Sequence, residues 1–541
     1  MTRTQRFFRT AVWLSLSAMV IRAVGVLYHR CLTSVIGAVG VGEITLVLSV
    51  YGFAVTLASS GIHLAVTRTV AEAGARGAHT HMYAARRRGM LWGTVLGCSA
   101  ATLLYLLAPW IAKTWLSDQA AVLPLRLLAF SLPPLSFSTV CGGIFTAERR
   151  AARGAFIGLC GNLIRIGGAL LLLRALYLPG ICSAATVVAA AALLSELFCA
   201  AVSAALLPRP RKASDPPYPI DGDRPAQQRY FLHILLPVLA AACVRSGLQT
   251  VQQLLIPIGL RRAGMTDSAA LAVYGTVHGM VFPILLFPAA LLYSCTSLLI
   301  PEVSAMRASQ NTAGIRCTAT RVLHMTLGFS VLVAGILYYH ADTLGALLYD
   351  STDAGRWLRL LAPLVPLMYT DSAVDALLKS LDAQTASMRF NLYDAAFCVL
   401  AACTLLPTLG GAGYLLLLYA SEAFNLTLSF RCLYTHLQIR PPVWRWVLSP
   451  IISVAGAVTA SHLLISGSRI AFRYPISALA SESTLAIGLF LILWYLLGGY
   501  DGQRARRLLY AMLPLGSHQQ KRNAHPHRHE GNPSHSRIRT Q

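Results

Sequence analysis

Residues 11–35 read AVWLSLSAMVIRAVGVLYHRCLTSV, and residues 43–66 read EITLVLSVYGFAVTLASSGIHLAV. Each run is long enough to cross the hydrocarbon core of a bilayer, which takes about 20 predominantly apolar residues in a helix. Similar runs follow at 89–111, 122–146, 154–176, 180–206, 230–258, 270–298, 322–348, 357–380, 386–408, 410–433, 446–466 and 477–497. The pattern predicts an all-α integral membrane protein with about fourteen transmembrane helices. Composition agrees. The chain is 55% hydrophobic and 12% charged, whereas soluble domains carry about 25% charged residues. A water-soluble fold cannot hide that much apolar surface. The first run has basic residues ahead of it, as a signal peptide would, but Arg22 interrupts it and no clear cleavage site follows. It reads as a retained first helix.

The charge balance then sets an orientation. The chain has 45 Lys and Arg against 21 Asp and Glu, a net charge of +24. In a soluble protein such an excess suits nucleic acid. In a membrane protein, basic residues collect in cytoplasmic loops, and that reading excludes a nucleic-acid partner here. With the N-terminus placed in the cytoplasm, the segments on that side, counted with the basic residues at the adjoining span ends, hold 32 Lys and Arg and those on the other side 8. The expectation is a multi-pass protein of the inner or plasma membrane with both termini cytoplasmic.

Little in the sequence suggests catalysis. The 12 cysteines are scattered, and no CxxC pair marks a disulfide framework or a zinc site. His525, His527 and His529 fall in a basic tail that reads as solvated. No P-loop, HExxH or nucleophile elbow is present. The chain is therefore not expected to be an enzyme, and no cofactor is implied.

An internal repeat organises the spans. Gln5–Phe8 (QRFF) matches Gln228–Phe231 (QRYF) 223 residues later, and at the same offset Arg22 matches Arg245 and Tyr51-Gly52 matches Tyr274-Gly275. Further on, Leu125-Arg126-Leu127-Leu128-Ala129 recurs as Leu358-Arg359-Leu360-Leu361-Ala362. An even number of spans separates the copies, so both halves have the same orientation. This is a parallel pseudo-two-fold repeat about the membrane normal. The expected organisation is an N-terminal lobe at 1–207, a cytoplasmic linker at 208–229 and a C-terminal lobe at 230–440. Two extra helices at 441–497 and a basic cytoplasmic tail at 498–541 complete it.

Arg22, Arg30, Arg126, Arg165 and Arg245 fall inside spans rather than in loops. An arginine at bilayer depth costs roughly 2.5–3.5 kcal/mol on insertion scales and faces a cavity or a partner. Arg22 stands about 17 Å into its span at 1.5 Å per residue, near the midplane, and Arg245 is comparable in the seventh span. The pseudo-two-fold predicts that both face one cavity between the lobes. A guanidinium suits phosphate there, because its planar fork donates bidentate bonds and stays charged. Arg245, Gln249, Gln252 and Gln253 share one helix face, which reads either as the wall of a lumen or as interhelical hydrogen bonding. Arg30 and Arg165 join the candidate substrate-binding set; snorkelling towards the interface is their alternative. Asp371, Asp375 and Lys379 share a face of the tenth span. The two carboxylates are candidates for ion coupling, against a self-neutralising structural cluster. Glu196, Asp394 and Glu422 are intramembrane acids available to pair with the arginines.

The stretch Tyr28–Gly77 reads YHRCLTSVIGAVGVGEITLVLSVYGFAVTLASSGIHLAVTRTVAEAGARG. It resembles the opening of polysaccharide transporters in the multidrug/oligosaccharidyl-lipid/polysaccharide exporter superfamily. The likeness is to the stage V sporulation protein B group, related to lipid II flippases of the MurJ type. Arg30, Ile36-Gly37, Gly40, Gly42, Tyr51, Gly61 and Ala71-Glu72 carry it, and LRLLAPLVPLMYTDSAVDALLKSLDAQ at 358–384 is similar to the family's tenth helix. Glu43-Ile44 departs from the family, which often has an aromatic there, and Cys141–Thr146 is a loose match. The resemblance implies two six-helix lobes around a cationic cavity. It also implies alternating-access movement of an undecaprenyl-diphosphate-linked glycan or peptidoglycan precursor. Membrane lipids and cell-wall or polysaccharide synthases would be the partners. A cation-coupled multidrug exporter of the same superfamily and a non-transporting scaffold for envelope or spore assembly are the other readings.

Overall fold

The computed structural model describes residues 3–75, 79–116, 118–177, 182–207, 224–439, 442–467 and 475–498. Most of these residues are helical, and none of the described residues forms a strand. The chain divides into two units, Met1–Arg440 and Pro441–Gln541. The first unit holds α1 (Arg3–Ser59), α2 (Ile62–Ala75), α3 (His79–Ile111), α4 (Val122–Ala147), α5 (Ala151–Leu172), α6 (Ala184–Leu206) and α7 (Arg224–Arg262). It continues through α8 (Asp267–Gly275), α9 (Phe282–Leu286), α10 (Ala289–Ala308), α11 (Thr312–Tyr339), α12 (Ala341–Tyr349), α13 (Thr352–Leu361), α14 (Val365–Ser380) and α15 (Gln384–Leu437). The second unit holds α16 (Ser449–Gly467) and α17 (Pro475–Leu496), a hairpin in which the Phe490 and Trp494 rings of α17 stack at 5.4 Å.

Among the described residues, twelve helical stretches are long and apolar enough to cross a membrane. Their outward faces are apolar: Leu106, Leu171 and Leu400 are 69%, 71% and 70% exposed, as a lipid-facing surface requires. Two helices are far longer than one span. The 57-residue α1 and the 54-residue α15 are continuous except at Gly37 (φ 70°) and Gly410 (φ 56°). Each is long enough for two crossings. A side chain at either break would meet its own backbone in the left-handed region, which glycine alone enters freely.

Several expected spans are shaped differently from their sequence reading. The gap at 36–42 is helix on both sides of the Gly37 break, because no polar turn residue ends the run. The second span is cut at Ser60–Gly61, where Gly61 has φ 77°. The eighth is interrupted by a π-helical turn at Thr276–Val281 and by a break at Phe287-Pro288. The ninth stops at Tyr339, before the short α12. The last six residues of the expected linker belong to α7, which begins at Arg224; the rest of that segment lies outside the described residues, as does the His-bearing tail.

The two halves of the repeat meet along two seams. On one, the middle of α1 packs on α8. A Cβ placed at Gly275 would collide with the carbonyl oxygen of Ala38 and lie 2.6 Å from the backbone nitrogen of Gly42. On the other, α1 and α2 run beside α7. Thr250 Oγ1 donates to Ser49 O (3.2 Å), Thr56 Oγ1 donates to Ser246 Oγ (3.1 Å), and Tyr230 Oη donates to Glu72 Oε1 (2.9 Å). Arg88 Nη2 donates to Gln227 Oε1 at 2.5 Å near the same end.

The glycine seam makes a sharp prediction. Because the atoms facing Gly275 are backbone, no rotamer change can make room, and overpacking costs about 1–3 kcal/mol or more. Gly275→Val lowers the thermal unfolding temperature of the detergent-purified protein and its yield. Gly25→Ala, where a Cβ meets nothing within 4 Å, leaves both unchanged. Equal melting of the two variants would contradict the close approach of α1 and α8.

Candidate functional site

Arg22 is placed by α1 against the broken helix of the other lobe. Its Nη1 donates to the carbonyl oxygen of Leu286 at 2.8 Å, and its guanidinium lies 5.2 Å from the ring centre of Tyr293. The acceptor is free because the helix stops there: the Phe287-Pro288 break leaves carbonyls at the end of α9 without intrahelical donors. The neighbouring carbonyl, Leu285 O, takes the hydroxyl of Tyr369 at 2.6 Å. Arg22 is half-buried, so part of the guanidinium is committed to the seam and part is open. Arg30, further along α1, is exposed.

Arg245 is exposed on α7, and its charge acts on Asp394 of α15. It therefore serves different neighbours from Arg22, although the repeat aligns the two. Gln249 is exposed, while Gln252 and Gln253 are half-buried on the same helix. The polar stripe of α7 is open at its Arg245–Gln249 end and packed further along.

The C-terminal lobe gathers four carboxylates within reach of one another. Asp375 on α14 accepts from Lys379 Nζ at 2.6 Å and from the hydroxyl of Ser387. Asp371, one turn earlier, accepts from Asn425 Nδ2 at 3.0 Å through Oδ2, while its Oδ1 and the Oδ1 of Asn425 are buried with no hydrogen-bond donor among the described residues. Asp394 accepts from Ser421 Oγ at 2.8 Å. Glu422, next to Ser421, faces the charges of both Asp371 and Asp394. Lys379 bonds Asp375, and Arg245 acts on Asp394. Glu422 faces acids rather than an arginine, contrary to the pairing expected from the sequence.

The N-terminal lobe holds a polar cavity of about 320 Å3 between α4, α5 and α6. Arg165 and Asn162 of α5 line it together with Glu196 of α6, and Arg165 Nη2 donates to Asn162 Oδ1 at 2.8 Å. The charges of Arg165 and Glu196 act on each other, and that of Arg165 also reaches Tyr28 and Tyr51 of α1. The hydroxyls of Tyr51 and Ser131 are 2.7 Å apart, which ties α1 to α4 beside this group. Arg126 lies elsewhere, its guanidinium 4.7 Å from the ring centre of Tyr105.

A second layer of the repeat becomes visible once the helices are paired. Asn162-Leu163-x-Arg165 on α5 corresponds to Asn391-Leu392-x-Asp394 on α15, and Ser195-Glu196-x-Phe198 on α6 corresponds to Ser421-Glu422-x-Phe424 on α15. Each lobe thus puts a Ser-Glu step beside an Asn-Leu step. The fourth residue of the Asn-Leu motif is a cation, Arg165, in one lobe and an anion, Asp394, in the other. Glu196, Asp394 and Glu422 belong to the candidate site on this ground, and the paired motifs are a signal that the sequence reading passed over.

Comparison with known proteins agrees with this architecture. Residues 7–216 match the polysaccharide biosynthesis protein family. The chain is 23% identical over 394 residues to stage V sporulation protein B of Bacillus subtilis (strain 168), covering 72% of this chain and 76% of the relative. Its fold matches that of the lipid II flippase MurJ in an inward closed conformation with a TM-score of 0.62 at 11% identity, over 90% of this chain and 97% of the other. It matches an inward-facing multidrug resistance MATE family transporter of the MOP superfamily equally well, with a TM-score of 0.62 at 14% identity over 80% and 100% of the two chains. The resemblance read from Tyr28–Gly77 therefore holds along most of the molecule: this chain is similar to stage V sporulation protein B and has the all-helical fold of the MOP-superfamily membrane transporters.

Proposed function

We propose that the protein flips an undecaprenyl-diphosphate-linked oligosaccharide or peptidoglycan precursor across the cytoplasmic membrane by alternating access. The observation that carries this reading is Arg22. A guanidinium held at the seam of two lobes by a backbone carbonyl of the opposite lobe is both an anion-binding group and part of the surface that must open. A buried diphosphate has to exchange its hydration for fixed donors, and an arginine supplies bidentate ones. Arg245, Arg30, Arg165, Gln249 and Gln252 complete the proposed substrate path, and rocking of the lobes would present it to either leaflet. The basic-residue asymmetry supports fourteen crossings with cytoplasmic termini, and the prenyl chain stays in lipid. Likeness to stage V sporulation protein B and to a lipid II flippase supports this substrate class, with glycan synthases as the neighbours that supply and consume it.

The carboxylate cluster of the C-terminal lobe favours a second element, coupling to a cation or proton gradient. Taken alone it would suit a cation-coupled drug exporter. Reconstitution separates the readings. Proteoliposomes containing the protein and a fluorescent undecaprenyl-diphosphate-linked disaccharide should show protein-dependent loss of the probe from the outer leaflet, and no accumulation of a lipophilic cationic dye. Dye transport without glycan flipping would move the assignment to drug export; neither activity would leave a scaffold.

A further inference from the structure

The cavity between α4, α5 and α6 sets Arg165 of the proposed path beside a carboxylate, Glu196, and so does not suit a diphosphate. A phosphate placed in it would meet Glu196 as well as Arg165, and a cation would meet Arg165 as well as Glu196. At close range like charges repel strongly in a membrane interior. The matching place in the other lobe carries Asp394 where this one carries Arg165, so the two cavities are not equivalent binders of one ion. What remains is a site whose charges balance and whose walls combine polar groups with the apolar side chains of Leu135, Phe145 and Ile157. Arg165 and Asn162 offer donors, and Glu196 offers acceptors. The hydroxyl protons of Ser138, Thr139 and Ser195 are already given to Leu135 O, Leu135 O and Gly161 O at 2.9, 2.9 and 2.8 Å, so their lone pairs remain to accept.

The shape agrees with the chemistry. The cavity's 320 Å3 lies at the lower end of the roughly 300–1,000 Å3 of small-molecule sites, room for a sugar ring. Gly158 lies on the α5 wall, and a Cβ there would meet nothing within 4 Å, so the bare backbone leaves space a ring can occupy. The same helix turns Phe156, Leu159 and Leu163 outwards on its other side, 62%, 43% and 60% exposed. The polar face is therefore set apart from the apolar one rather than scattered around the helix.

We propose that this cavity is a sugar subsite, holding one neutral hexose ring of the lipid-linked head group by bonds from Arg165 and Asn162 and to Glu196. The proposal rests on the flippase reading and adds where the glycan, as distinct from the diphosphate, is recognised. A ring hydroxyl bonded to a charged side chain is a strong, directional contact, and a site built for it loses about tenfold or more when one such bond is removed.

Affinities measured by native mass spectrometry of the full chain in nanodiscs test it with two probes, undecaprenyl diphosphate and undecaprenyl-diphosphate N-acetylglucosamine. The wild type should bind the sugar-bearing probe about tenfold tighter. Gly158→Leu fills the space and Glu196→Gln removes the acceptor charge without changing shape; each should erase that advantage while the affinity for undecaprenyl diphosphate stays. Melting temperatures show whether Gly158→Leu is folded, and the isosteric Glu196→Gln decides the matter if it is not. Retention of the advantage in Glu196→Gln overturns the subsite but leaves the flippase reading standing. So does Arg165→Gln weakening both probes equally, which would make the cavity an anion site. Failure of the wild type to bind either lipid overturns both readings.

Discussion

Under the proposed flippase function, Arg22→Ala should reduce glycan flipping by about 10- to 100-fold in proteoliposomes, while the protein still inserts and purifies in normal amount. The size follows from what is lost. A hydrogen bond to a charged group contributes about 1.5–3 kcal/mol, and each 1.4 kcal/mol is tenfold. The guanidinium has five N–H donors, of which Nη1 is given to Leu286 O at 2.8 Å in this conformation. The remaining donors can meet a diphosphate, and the bond to α9 must be re-formed or exchanged as the lobes move. Alanine removes both functions and leaves Leu286 O, at the helix break, without its donor. Arg22→Lys restores part of the rate, since the ammonium keeps the charge but not the planar fork. Arg245→Ala should act differently. Arg245 is exposed and bears on Asp394, so its loss should alter ion coupling as well as substrate affinity. Flipping at wild-type rate by well-expressed Arg22→Ala protein would remove the anion-binding mechanism.

If the carboxylate cluster couples transport to an ion gradient as proposed, Asp371→Asn should abolish that dependence and leave substrate binding within about twofold, a change below the roughly 0.5–1.5 kcal/mol of an ordinary hydrogen bond. Asp375→Asn should not. The sequence treats the two carboxylates as equals, a turn apart on one face. The structure separates them, because Asp375 is already neutralised by Lys379 at 2.6 Å and bonded by Ser387, whereas Asp371 keeps one buried oxygen with no donor beside the equally unpartnered Oδ1 of Asn425. Asp394 and Glu422 add like charge to the same place. Buried acceptors without donors cost about 1–3 kcal/mol each, and a cation or proton relieves both that cost and the repulsion. Rates measured with sodium, proton and no gradient on wild type and the two single variants decide it. Gradient dependence surviving in Asp371→Asn would return the cluster to a structural role.

The amino-acid order alone determines that this chain lives in a membrane. Apolar runs of spanning length, few charges and basic residues collected on one side are local properties, and the bilayer reads them locally. The repeat was legible for the same reason: Arg22 and Arg245, or the two LRLLA segments, align without knowledge of any contact. The sequence also marked the arginines as out of place in lipid. What it left open was where each one points. Helix rotation depends on packing between segments hundreds of residues apart, and periodicity within one helix carries no record of it. So the expectation that aligned arginines share one cavity gave way to two different settings, with Arg22 at a carbonyl of the broken helix and Arg245 beside Asp394. Only the folded chain joined Asp371 to Asn425, 54 residues away, and set Arg165 near Glu196, because a charge inside a membrane takes its meaning from the groups that packing brings beside it.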